Sequence, residues 1–134
     1  MNVHLDDSYG QYLIGWLDTY ELDLWNNLRR APALPPPAAT EILTRFIVLA
    51  CQCQNIRNIT LGRHGIWSLP KDWAIHHIEQ IVESTLDLTD EWEYLRLLEG
   101  YEQLDRALLT RLVKLGFQSD NKEIQEAAKD FDYG

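Results

Sequence analysis

Cysteine is scarce in this sequence of 134 residues, and the two cysteines present, Cys51 and Cys53, are separated by a single residue. Two cysteines at that spacing exclude the disulfide framework that holds many small secreted domains together. Both lie in an apolar stretch, where a free cysteine behaves as a small hydrophobic side chain. This cysteine usage predicts a protein of the reducing cytoplasm.

Basic residues are also few. Twelve lysines and arginines stand against 21 aspartates and glutamates, which gives a formal net charge of −9. Nearly all of this charge lies in residues 71–134, which contain 15 acidic and seven basic side chains. We therefore expect neither nucleic acid nor an anionic membrane as a partner, because both are bound through clustered basic side chains. An acidic protein suits a basic protein partner, although the same charge also serves plain solubility.

Long apolar runs and catalytic motifs are missing as well. No run approaches the length of about 20 residues that a membrane-spanning helix needs. Met1–Asp7 has neither a basic nor an apolar region, and we expect no signal peptide there. The sequence contains no phosphate-binding P-loop, no G-x-S-x-G turn and no H-E-x-x-H zinc motif. No motif fixes a reaction, and we expect no cofactor.

Apolar residues recur at helical spacing along most of the chain, and only the short segment Ile56–Leu61 leans towards a strand. The hydrophobic fraction of 46% argues against disorder, and the chain length suits one domain. We predict an all-α fold over residues 1–134, a single-domain helical bundle or a short stack of helical hairpins with about five to six helices.

The first predicted helix, Ser8–Leu28, is capped by Asp7 or Ser8 and carries a stripe rich in aromatic residues. A proline-rich connector over residues 31–37 follows, because three consecutive prolines do not continue a helix. The second helix, from Pro37 or Ala38 to about Gln54, has little polar face and is predicted to be the central, most buried one.

In residues 55–67, the helix-breaking Gly62 and Gly65 predict a continuing turn or a short helix that ends near Gly62, with Arg63 and His64 in an irregular stretch. The third major helix opens at Ser68–Pro70 and ends at about Leu86. Cap residues predict three further helix starts, because a short polar side chain can accept the free N–H groups of a first turn. These caps are the hydroxyl of Thr89, Asp105, and Asp120 with Glu123.

The C-terminal stretch combines a leucine-rich helix, a short turn with an aspartate, and a helix with small alanines. Its pattern is Leu109-x-x-Leu112-Val113-x-x-Gly116-Phe117-x-Ser119-Asp120-x-x-Glu123-Ile124-x-x-Ala127-Ala128-x-x-Phe131. This stretch resembles a HEAT-type repeat, and the resemblance implies a scaffold that binds other proteins. As a small acidic α-helical protein, the chain is also similar in type to bacterial immunity proteins, which block toxin domains.

A cluster of carboxylates surrounds one tryptophan at a predicted helix start; its members are Asp87, Asp90, Glu91, Trp92 and Glu93. Capping of the helix is one explanation for the acids. The other is a docking surface for a basic partner, with Trp92 as a partly exposed anchor. We therefore predict a non-catalytic protein-binding module, and its more specific form is an immunity-type neutraliser of a basic protein. The oligomeric state stays open.

An alternative prediction is a small enzyme or a ligand-binding bundle, with a pocket lined by Arg63, His64 and His77. A metal site is not expected, because Cys51 and Cys53 are too closely spaced for a structural zinc site. His76 and His77 diverge on a helix, and His77 shares a face with Trp73, which indicates a partly buried structural histidine.

Overall fold

The computed structural model describes residues 8–134, and within them no strand is present, which confirms the all-α class. This part of the chain holds seven α-helices and one 3₁₀ helix, more than the five to six helices expected. The helices are α1 (Ser8–Asp18), the 3₁₀ helix (Leu24–Ala33), α2 (Ala38–Ala50), α3 (Ile56–Ser68), α4 (Lys71–Thr85), α5 (Glu91–Leu104), α6 (Arg106–Phe117) and α7 (Lys122–Asp130). The cap expected at Asp7 and the expected lack of a signal peptide fall outside the described residues.

Helix α2 lies at the centre of the fold, as its apolar sequence predicts. It packs against α3, α4, α5 and the 3₁₀ helix. The side chains of Ile42, Phe46 and Ile47 are fully buried. Helices α5, α6 and α7 pack on one another, and the buried hydrophobic cluster contains residues of every helix from α1 to α7.

The first predicted helix is wrong in its length, because the chain turns after Asp18. The Asp18 carboxylate accepts a hydrogen bond of 2.9 Å from the backbone N–H of Asp23. Asp23 itself has a φ of 61°, a left-handed conformation that no α-helix continues through. Leu24 and Leu28, expected on the first helix, are buried on the 3₁₀ helix instead.

The proline-rich connector is shorter than residues 31–37. Ala31–Ala33 complete the 3₁₀ helix, which includes Pro32, and only Leu34–Pro37 connect it to α2. The Pro36–Pro37 peptide bond is cis. Helix α2 begins at Ala38 as expected, but it ends at Ala50 rather than near Gln54.

The prediction for residues 55–67 is also wrong, since α3 runs unbroken through Gly62 and Gly65 and places Arg63 and His64 on a helix. A Cβ atom on Gly62 would lie 2.5 Å from the backbone of α2, at Ala50 N and Phe46 O. The two glycines let α3 approach α2 closely, and this contact holds the segment helical.

The C-terminal helices follow the predicted order. Asp105 caps α6 through its side chain, as expected. In contrast, Asp90 rather than Thr89 caps α5, and Asn121 rather than Asp120 caps α7. None of the helices within residues 8–134 has the length and apolar character that crossing a membrane requires.

Candidate functional site

The turn between α4 and α5 holds the predicted carboxylates in place through hydrogen bonds to the backbone. The Asp90 carboxylate accepts from the N–H groups of Trp92 at 2.8 Å and Glu93 at 3.1 Å. The Asp87 carboxylate accepts from the N–H and the hydroxyl of Thr89 at 3.0 and 2.5 Å. The bond from the Thr89 hydroxyl lowers the pKa of Asp87. The bonds to Asp90 cap α5, and capping is one of the two roles that the sequence indicates for these carboxylates.

The same turn is closed by Glu93, whose side chain accepts a hydrogen bond of 3.4 Å from the backbone N–H of Asp87. Asp87, Asp90 and Glu93 therefore belong to one network, and their carboxylates are tied to a defined backbone conformation. Glu91, in the first turn of α5, makes no hydrogen bond or ion pair of its side chain within residues 8–134. Its charge is available to a partner.

Trp92 is exposed over 48% of its surface, which confirms the predicted partial exposure. Its ring does not anchor the core. The guanidinium of Arg96, one turn later on α5, lies 5.9 Å from the ring centroid of Trp92. The indole thus lies at the surface near one cation, and Glu91 and Glu93 are its direct neighbours in sequence.

Arg96 and Glu99 connect α5 to α3 and to the loop that follows α2, and the sequence analysis identified neither residue. The Glu99 carboxylate accepts from Arg96 at 3.0 Å and from Arg63 of α3 at 2.6 Å, at the same oxygen. Arg96 also donates to the backbone carbonyls of Gln52 at 3.3 Å and Cys53 at 3.1 Å, beyond the end of α2. The spacing of Arg96 and Glu99, three residues apart on one helix, was the available signal.

The alternative pocket is not formed by Arg63, His64 and His77 together. Arg63 borders a core cavity of ≈ 10 Å³, which is too small for an organic substrate. His64, the next residue on the helix, points elsewhere and lies 5.2 Å from the ring of Trp25. His77 is partly buried, 4.7 Å from Trp73, as its position on α4 predicts.

The two cysteines differ in their surroundings. Cys51 is buried, and burial raises the pKa of its thiol to about 12, which keeps it protonated at neutral pH. Cys53 is exposed. Within residues 8–134, no group of three or more histidine, cysteine, aspartate or glutamate side chains has the arrangement to hold a metal ion.

No family model, no curated protein and no solved structure matches this chain. The resemblance of residues 109–131 to a HEAT-type repeat, and the similarity in type to immunity proteins, stay predictions.

Proposed function

We propose that this chain is a non-catalytic helical protein-binding module that docks a basic protein at the start of α5. The docking surface, here called the α5 acidic surface, consists of Asp87, Asp90, Glu91, Trp92 and Glu93. The observation that carries the proposal is Trp92, a large aromatic side chain that is 48% exposed and is flanked in sequence by Glu91 and Glu93. Tryptophan is enriched among the residues that dominate binding energy, and surrounding charges fix the orientation of the partner.

Preorganisation of the surface supports the proposal. Asp90 and Asp87 hold their turn by hydrogen bonds to the backbone, and Arg96 beside Trp92 is itself tied to the Glu99 carboxylate. A surface whose backbone is already held by hydrogen bonds loses less entropy when a partner binds. Residues 71–134, which include this surface, carry 15 acidic and seven basic side chains. The negative electrostatic potential of these residues speeds association with a basic protein.

The more specific form of the proposal is an immunity-type neutraliser that acts in the cytoplasm and blocks a basic toxin or another basic protein. The net charge of −9 favours such a partner. The unpaired thiols of Cys51 and Cys53 are consistent with a reducing compartment.

The test is capture of the partner from the source cell, followed by affinity measurements with the purified pair over a range of salt concentrations. Replacement of Trp92→Ala is expected to weaken binding by about 2 kcal/mol, or roughly thirtyfold, because it removes the anchor. Unfolding by denaturant should show a loss of less than about 1 kcal/mol, since the side chain is largely at the surface. Phe117→Ala is a matched control, because Phe117 has a similar exposure of 45% and lies on α6.

The charge contribution is tested separately with Glu91→Gln, which removes a charge without breaking a described hydrogen bond. This variant should bind more weakly at low salt and depend less on salt, whereas Glu123→Gln on α7 should bind like the original chain. Two results would contradict the proposal. One is an affinity that salt does not change, and the other is a loss of about 3–5 kcal/mol of stability in Trp92→Ala, which would mark it as a core residue.

A further inference from the structure

A second surface, separate from the α5 acidic surface, lies where the 3₁₀ helix meets the end of α3 and the start of α4. It is a cleft with a volume of ≈ 590 Å³, here called the basic cleft. The side chains that matter for its chemistry are Trp25, Arg29, Arg30, His64, Trp67 and Lys71. It shares no residue with the α5 acidic surface, and its volume lies within the range of sites for small organic ligands.

The charge at the basic cleft is positive, opposite in sign to the net charge of the molecule. Three cationic side chains line it, and no carboxylate does. Arg30 is paired with Glu21, at 2.7 and 2.9 Å, whereas Arg29 and Lys71 have no carboxylate partner within residues 8–134. Two cations without a carboxylate partner therefore lie beside one cleft in a protein with a net charge of −9, and their local positive potential favours an anionic ligand.

Asp23, which directly precedes the 3₁₀ helix, does not pair with Arg29 or Lys71. The carboxylate of Asp23 accepts hydrogen bonds from the side-chain amides of Asn26 at 2.6 Å and Asn27 at 3.4 Å. Both asparagines line the cleft and add amide groups to it. The start of α4 at Lys71 adds the positive end of a helix dipole.

Aromatic rings also line the cleft. Trp25 is 7% exposed and lies against His64, with 5.2 Å between the ring centroids and 34° between the ring planes. Burial lowers the pKa of His64, so that its ring is neutral at pH 7. Trp67 is half-buried at the same cleft and leaves part of its indole available for stacking.

We propose that the basic cleft binds a nucleoside phosphate, with the phosphate at Arg29 and Lys71 and the base stacked on Trp67. Arginine and lysine form charge-assisted hydrogen bonds with phosphate oxygens, and an indole stacks on a planar base. The net charge of the whole chain opposes a long polyanion such as RNA but not a small ligand held at a local cluster of cations. The ligand is therefore a free nucleotide.

The test is isothermal titration calorimetry of the full chain with AMP, adenosine and inorganic phosphate at low salt. AMP is expected to bind more tightly than either adenosine or phosphate alone, because only AMP engages both the cations and the rings. The double replacement Arg29→Ala with Lys71→Ala should weaken AMP by about tenfold or more. Both side chains are exposed, so the variant should fold like the original chain.

Lys122→Ala is the matched control, since Lys122 is an exposed cation on α7 outside the cleft, and it should leave AMP affinity unchanged. Trp67→Leu should weaken AMP while leaving the affinity for phosphate as it was. The proposal is overturned if AMP shows no binding at millimolar concentration, if the double variant binds AMP as the original does, or if phosphate binds as tightly as AMP.

Discussion

Gly116 lies where three helices meet. The ring of Tyr94 from α5 is fully buried against it, and the Tyr94 hydroxyl donates a hydrogen bond of 2.8 Å to the backbone carbonyl of Leu112. A Cβ atom at position 116 would lie 2.6 Å from Tyr94 Cζ and 2.9 Å from the Cβ of Ala128 on α7. The absence of a side chain here is what lets α5, α6 and α7 pack together.

Replacement of Gly116→Ala is therefore expected to cost about 1–3 kcal/mol of stability, because the added methyl group forces the Tyr94 ring out of its contact. Gly100→Ala is the matched control, since Gly100 is also helical but a Cβ there meets no atom within 4 Å. It should stabilise the protein by about 0.5–1 kcal/mol through its higher helix propensity. Denaturant unfolding measures both, and equal effects of the two replacements would contradict the packing assigned to Gly116.

At the scale of one element, α7 shows that a helix cap depends on the exact position of the capping residue. Its first helical residue is Lys122, and the side chain of Asn121 accepts from the N–H of Glu123 at 2.9 Å. Asp120, the predicted cap, precedes the correct position by one residue. The backbone of Asn121 is held in turn by Ser119, whose hydroxyl accepts from its N–H at 3.1 Å. An acceptor displaced by one residue no longer faces the free N–H groups.

Asn121→Ala should destabilise the protein by about 1 kcal/mol, the usual cost of a lost helix cap. Asp120→Ala removes an exposed carboxylate that makes no described hydrogen bond, and its effect should stay within about 0.5 kcal/mol. Thermal and denaturant unfolding of both variants separates the two assignments. A larger loss in Asp120→Ala than in Asn121→Ala would return the cap to the residue that the sequence indicated.

At the scale of the whole molecule, the core contains tyrosines that resist ionisation. Burial raises the pKa of Tyr94 from 10.0 to about 12, and it raises the pKa of Tyr101 as well. Both residues are among the buried side chains of α5, in the hydrophobic cluster that joins the helices. A tyrosinate at either position would place an unpaired charge in that cluster.

Stability should therefore fall as the pH rises from 10 to 12. In this window the unfolded chain releases the Tyr94 proton while the folded protein retains it, and the folded state is disfavoured by each step in pH. The loss from Tyr94 alone is about 2–3 kcal/mol at the upper end. Denaturant unfolding at a series of pH values measures the slope, and Tyr94→Phe should make it shallower. An unchanged slope in that variant would contradict the role of Tyr94.

The features that were predicted correctly depend on residues close in sequence. The spacing of apolar residues predicts the all-α class and the central position of α2. Asp105 caps α6 by accepting from an N–H group only three residues further on, and the exposure of Trp92 follows from its phase relative to Tyr94. Helical periodicity and caps are local, and a sequence therefore contains the information that determines them.

The features that only the tertiary structure decided depend on residues far apart in the chain. Gly62 reads as a helix breaker until the backbone of α2 is seen to lie against it. Glu99 pairs with Arg63 across 36 residues, and the basic cleft combines side chains of three helices, among them Arg29 and Lys71. No local sequence pattern determines which helix faces pack together, because the packing depends on the burial of the apolar surfaces of all the helices together.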